Sequence, residues 1–166
     1  MEIETTRFGR ISVDAERLWT FPRGLIGMTD LARFAVIPAS ASANGSAAQD
    51  AAFYWLQSVE DGAVAFLVCD PNRFFKDYHV SIREETQADL DLADAKDGQL
   101  LVICNRVGEW VTGNLQGPLV INTRTRVGQQ VVLTEKKWTC RQPLLKLDDA
   151  ANATKVSQAS GVARAA

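Results

Sequence analysis

Residues 114–133 read NLQGPLVINTRTRVGQQVVL, and no other stretch limits the fold of this chain so tightly. Two apolar runs, 118–121 and 131–133, flank a polar segment carrying Arg124, Arg126 and Gly128. Apolar run, punctuated polar segment, apolar run is the pattern of a β-hairpin. Val and Ile fill both runs, and β-branched side chains suit a pleated, half-buried surface. An isolated hairpin is marginal in water and needs further strands or a covering element. The rest of the chain is therefore expected to supply them.

It does so repeatedly. Residues 1–14 predict two short strands around a bend at Phe8-Gly9-Arg10, and 18–21 a third that Pro22 stops. Thr29 or Asp30 is placed to cap a helical turn over 31–34, with a strand resuming at 35–37. In 53–58, Phe53, Trp55 and Gln57 alternate with Tyr54, Leu56 and Ser58, the period of a strand. The near-continuous apolar run 63–69 predicts a central strand buried on both faces, paired with 53–58 across a turn at Glu60-Asp61-Gly62. Further strands are expected at 79–82, 100–107, 109–112 and, as an edge limited by Pro143, at 138–143. One or two short helical turns fit the acidic stretch 83–97. The fold class that follows is all-β, mainly antiparallel, a barrel or a sandwich in a compact domain over residues 1–147; closure would dispose of exposed edges, but periodicity does not choose between the two. The small, polar residues 39–50 read as an exposed loop, and the Ala-rich residues 148–166 as a disordered tail.

Composition removes several function classes. The formal net charge is −2, so no global basic field draws in nucleic acid. No apolar run approaches the roughly 20 residues of a membrane span. The start, Met1-Glu2-Ile3-Glu4, has no signal-peptide pattern, which points to a cytoplasmic location without membrane contact. Cys69, Cys104 and Cys140 are widely separated, and Cys69 and Cys104 sit in apolar runs as small buried hydrophobes. With His79 as the one histidine, neither a metal site nor a cofactor is expected.

Four features are candidates for chemistry or contact. Gly24-Leu25-Ile26-Gly27 matches the bare GXXG of an RNA-binding loop, but its expected neighbours are strand and loop rather than paired helices. Asp70 ends the buried strand beside Pro71; with His79 it is the only hydrolytic pair on offer, and capping the next turn is the simpler role. Phe74, Phe75 and Tyr78, interleaved with Arg73 and Lys76, have three readings: closing the barrel end, anchoring a protein partner, or stacking bases in a nucleic-acid-binding β-barrel. Glu84 and Glu85 open an acidic run that is either a solvated face or a dock for a basic partner.

Several short motifs, taken in order, resemble the FliW family of flagellar assembly factors. They are Thr5-Thr6-Arg7-Phe8-Gly9, Phe21-Pro22-Arg23-Gly24-Leu25-Ile26-Gly27, Leu56-Gln57-Ser58, and Ala65-Phe66 through Asp70-Pro71. Asn114-Leu115, Pro118-Leu119-Val120-Ile121-Asn122, Arg126, Gly128-Gln129-Gln130-Val131, Arg141 and Pro143-Leu144 complete the match over roughly residues 2–145. Met28, Gly117 and Trp138 stand where the family commonly has Phe, Ala and Tyr, changes that keep apolar or small character. The resemblance implies a β-barrel-like protein that is no enzyme and has two protein partners. One is the translational repressor CsrA, which FliW proteins are described as antagonising away from its RNA-binding surface. The other is flagellin, which occupies the factor until it is exported. Direct contact with nucleic acid is not implied. The expected partner contacts are Leu25, Ile26 and Met28 in the glycine loop, Phe74, Phe75 and Tyr78 in the aromatic loop, and Glu84 and Glu85.

Overall fold

Among the residues that the computed structural model describes, 1–39 and 53–146, eleven strands follow one another with little between them. They are β1 (Glu2–Thr5), β2 (Gly9–Ser12), β3 (Leu18–Thr20), β4 (Arg33–Pro38), β5 (Phe53–Ser58), β6 (Ala65–Cys69), β7 (Gly98–Val107), β8 (Trp110–Gly113), β9 (Leu119–Asn122), β10 (Val127–Gln130) and β11 (Gln142–Lys146). One α-helix, α1 (Glu84–Asp89), lies between β6 and β7. The loop expected at 39–50, apart from residue 39, and the tail expected at 148–166 fall outside the described residues.

Seven strands close a ring in the order β7-β6-β5-β4-β3-β10-β9 and back to β7. Closure depends on the length of β7. Its first half, from Gly98 to Leu101, pairs with β9, and its second half, from Cys104 to Val107, pairs with β8. Strands β8 and β11 therefore extend the sheet outward from the ring. Every pairing is antiparallel except β3 with β10, a parallel seam of a single register pair, Val127 with Thr20. The all-β, mainly antiparallel class is as the sequence predicts and the barrel as the resemblance implies; the parallel seam has no local signal.

The opening hairpin forms with its second strand earlier than expected. Leu119–Asn122 pairs with Val127–Gln130, so residues 131–133 lie beyond the second strand; Val132 is 63% exposed rather than core, while Leu133 packs on the outer layer. Asn122 explains the shift. Its buried side-chain oxygen accepts from the Arg124 and Thr125 amides and fixes the turn there, so Gly-Gln-Gln must pair. Arg126 completes the turn at φ 60. The helical turn expected over 31–34 is absent, because Arg33 and Phe34 are already paired with Thr20 and Trp19 of β3. Residues 79–82 are not a strand. The last strand starts at Gln142, later than the expected 138, and its register slips between Pro143 and Leu145.

The core has two main layers, one inside the ring and one outside, and a small third cluster of Ile3, Val13 and Ala35. Inside lie Phe21, Phe34, Leu56, Phe66, Leu101 and Ile121, among others. Outside, Trp55, Leu67, Val102 and Cys104 are covered by Tyr78, Trp138 and Leu115. Strand β6 separates the layers, with Phe66 and Val68 inward and Ala65, Leu67 and Cys69 outward, and all five of its residues are buried. Its unbroken apolar run is the imprint of that position. Cys69 and Cys104 are buried neighbours with sulfurs 3.4 Å apart, and burial pushes the Cys104 thiol pKa up.

Candidate partner-binding surfaces

The aromatic loop lies on the outer layer. Asp70 accepts a hydrogen bond from the Asn72 amide at 2.9 Å and caps a single helical turn, Pro71–Arg73, that swings the chain back across β5. Phe74 then meets Phe53 at 6.0 Å between ring centres, and Phe75 meets Trp138 at 5.3 Å. Tyr78 packs edge-on to Trp138 at 5.2 Å, and its hydroxyl donates to the Leu115 carbonyl at 2.7 Å. The loop thus covers the side of the barrel, not its end. Tyr78, 1% exposed, has no side-chain area left for a partner, and Phe74 and Phe75 are half-buried. His79 is exposed and is not among the residues lining the small cavity at Asp70.

The glycine loop is built rather than slack. Leu25 and Met28 exchange both backbone hydrogen bonds, at 3.2 and 2.8 Å, around Ile26 and Gly27. Gly27 at φ 84 takes the position where a type II turn demands a positive φ. Gly24, at φ 66, faces the Thr29 backbone so closely that a Cβ would stand 2.6 Å from its Cα. From β10, Gln130 accepts from the Ile26 amide at 2.9 Å and donates to the Gly117 carbonyl at 2.9 Å, fastening the loop to the barrel. Leu25 is thereby turned toward the interior at 2% exposure, whereas Ile26 stands at the tip at 52%. Met28 is half-buried against the interior layer.

That loop borders a groove of about 410 Å³ at one mouth of the barrel. Leu25, Phe66 and Ile103 form its floor, and Ile26, Val107, Arg106 and Arg141 form its rim. The antiparallel register of β6 and β7 brings the start of one strand to the end of the other here. At the opposite mouth, Trp19, Tyr54, Asp70 and Arg73 line a cavity of about 260 Å³.

The acidic stretch is partly neutralised within the protein. Arg23 pairs with Asp89 at 2.9 Å, and Arg124 with Asp91 at 2.8 Å and Asp97 at 3.8 Å. Glu84 and Glu85, in the first turn of α1, are exposed and make no ion pair among the described residues. Asn122 holds the far end of α1 to the barrel by donating to the Leu90 and Asp91 carbonyls at 2.8 and 3.1 Å. Sequence reasoning missed the anchoring roles of Asn122 and Gln130, and the pairing of Arg23 with α1. Nothing in sequence spacing joins residues 66 positions apart.

The polar members of the short motifs are committed to the scaffold in the same way. The buried Gln57 amide donates to the Ser58, Gly62 and Val64 carbonyls and ties the β5–β6 turn, and the Ser58 hydroxyl accepts from the Asp61 amide. Among the described residues, no helix is long and apolar enough to cross a membrane, and no three His, Cys, Asp or Glu side chains are grouped as metal ligands would be.

Comparison with known proteins gives one answer. The family model described as FliW protein matches residues 2–144. The flagellar assembly factor FliW of Natranaerobius thermophilus is 33% identical over 147 residues, covering 87% of this chain and 92% of that protein. That of Leptospira interrogans is 32% identical over 149 residues, with 88% and 94% covered. A crystal structure of the flagellar assembly factor FliW superposes with a TM-score of 0.73 at 27% identity, over 90% of this chain and 100% of that one.

Proposed function

This chain belongs to the FliW family of flagellar assembly factors, and from that premise we propose that it works by binding CsrA, relieving repression of the flagellin message, and by binding flagellin in alternation. The observation that carries this reading is the division of labour among its side chains. Several polar residues of the family motifs, Gln57, Asn122 and Gln130 among them, are spent inside the scaffold. What faces outward is a pair of contact areas of opposite charge: the Glu84/Glu85 end of α1, and the arginine-rimmed groove.

The exposed Glu84 and Glu85 fit a basic patch of CsrA outside its RNA-binding surface. Complementary charge speeds encounter and orients it. The 22–30 loop links the two areas, since Arg23 pairs with Asp89 behind α1 while Ile26 stands on the groove rim.

Titration of the purified protein with CsrA and, separately, with flagellin tests the reading. Saturable binding to both, with each partner displacing the other, is expected. Binding to neither overturns it. The double variant Glu84→Lys, Glu85→Lys is expected to slow CsrA association by about tenfold at low salt, with little change in dissociation. An unchanged association rate removes α1 from the CsrA surface.

A further inference from the structure

The cavity of about 260 Å³ at the other mouth of the barrel joins an aromatic wall to two charges of opposite sign. The strands turn its wall residues into the barrel. Trp19 of β3, Val36 of β4 and Tyr54 of β5 pack on the interior layer, and Leu101 of β7 belongs to it. Gln99 also lines the cavity; it lies two positions before Leu101 and so takes the same face of β7. The charged end comes from the turn after β6. Asp70 gives one carboxylate oxygen to the Asn72 amide, and Arg73 ends the turn three residues later. Both line the cavity, yet no ion pair joins them, and neither has an ion-pair partner elsewhere among the described residues. The mouths of β-barrels are frequent ligand sites. This volume lies just under the roughly 300–1,000 Å³ of clefts that hold drug-sized molecules, so the occupant is small.

We infer that this mouth binds a free α-amino acid with a large apolar side chain: its ammonium on Asp70, its carboxylate on Arg73 and its side chain against Trp19, Tyr54 and Leu101. A simple anion or cation would be drawn by one of the two charges and repelled by the other, whereas a dipolar head satisfies both. Hydrogen bonds between ionised partners are about twice as strong as neutral ones, and arginine meets a carboxylate through two parallel bonds that fix its direction. Aromatic side chains supply large apolar contact area for the rest of the ligand. A peptide does not offer the same set, because no residue inside a chain carries a free ammonium and a free carboxylate on one carbon. The cavity shares no lining residue with the arginine-rimmed groove and includes none of α1, so the inference stands apart from the two-partner reading.

Calorimetric titration of the full chain with L-phenylalanine tests it. Saturable binding of one equivalent at millimolar concentration or below is expected. N-acetyl-L-phenylalanine, which lacks the ammonium, and L-phenylalaninamide, which lacks the carboxylate, are each expected to bind at least about tenfold more weakly. Asp70→Asn keeps an oxygen for the Asn72 amide, so the turn stays capped while the charge is lost, and Arg73→Gln changes an exposed side chain. Each variant is expected to bind L-phenylalanine at least about tenfold more weakly, with an unchanged circular dichroism spectrum. If Asp70→Asn disturbs the fold, Arg73→Gln and the two blocked ligands on wild type decide. Absence of saturable L-phenylalanine binding to wild type overturns the site. Equal binding of the blocked ligands overturns the roles given to the two charges, and undiminished binding in both variants puts the ligand elsewhere and overturns the site as well. Titrations with CsrA and flagellin are read separately, so failure here leaves the functional reading standing.

Discussion

The Tyr78 ring is closed in by Trp138, and its hydroxyl reaches the Leu115 carbonyl at 2.7 Å. Tyr78→Phe keeps the packing and removes the hydrogen bond, so a loss of about 1–2 kcal/mol in urea unfolding is expected, with partner binding intact. Burial pushes the phenol pKa of Tyr78 well above its ordinary value. The folded state therefore favours the neutral ring. That contribution is complete below the unfolded value near pH 10 and declines as pH rises beyond it. The Phe variant is expected to lose this alkaline decline, which stability measured between pH 8 and 11 would show. Gly128 illustrates the opposite constraint, one of space. A Cβ there would lie 2.6 Å from Cε1 of Phe21, inside the barrel. Gly128→Ala is expected to cost about 1–3 kcal/mol by overpacking, read as a lower urea midpoint.

At the scale of elements, the turns decide which surfaces face outward. The β5–β6 turn is joined to the start of β4 by Arg33, whose side chain and backbone amide donate to the two oxygens of Glu60 at 2.9 and 3.1 Å. Burial acts to raise the Glu60 pKa, but the hydrogen bonds and charge of Arg33 outweigh it and hold the carboxyl below its usual value. A depressed carboxyl stabilises the fold above the unfolded value of about 4.3 and loses that contribution as pH falls through its folded value. Glu60→Gln is expected to flatten the acid limb of a stability profile between pH 5 and 3. An unaltered limb would show that Arg33 and Glu60 do not couple the turn to β4. The aromatic loop shows why element-level reading of function is hazardous. Phe74, Phe75 and Tyr78 look like an exposed anchor in one dimension, yet the Asp70 cap lays them on the outer face of β5–β7.

For the molecule as a whole, closure rests on unequal seams. Strands β4, β5 and β6 are joined by five register pairs at each junction, whereas β3 and β10 share one, supported by the Thr20 amide donating to the Arg126 carbonyl at 2.9 Å. Local opening starts where the fewest backbone bonds and buried contacts must be broken. Native-state hydrogen exchange is therefore expected to find the weakest protection of the ring at the Thr20 amide and the strongest in β5 and β6. Uniform protection around the ring would contradict a weak seam. The seam lies beside the 22–30 loop, whose Arg23 reaches α1 and whose Ile26 borders the groove, so breathing there would reach both contact areas.

What the sequence determined by itself was the set of local instructions. Alternation in 53–58, the unbroken apolar run of β6 and the turn at Glu60-Asp61-Gly62 each act over a few residues, so the main strands, the all-β class and the family are legible in the chain. The buried state of Cys69 and Cys104 is legible for the same reason. Tertiary structure alone decided the rest. It set the parallel β3–β10 seam, the split pairing of β7 and the covering of the outer layer by the aromatic loop. It also turned Leu25 and Tyr78 inward, left Ile26 outward and brought Arg106 and Arg141 to one groove. Periodicity tells a side chain which face of its strand to take. Whether that face meets solvent depends on segments far away in sequence that come to lie across it.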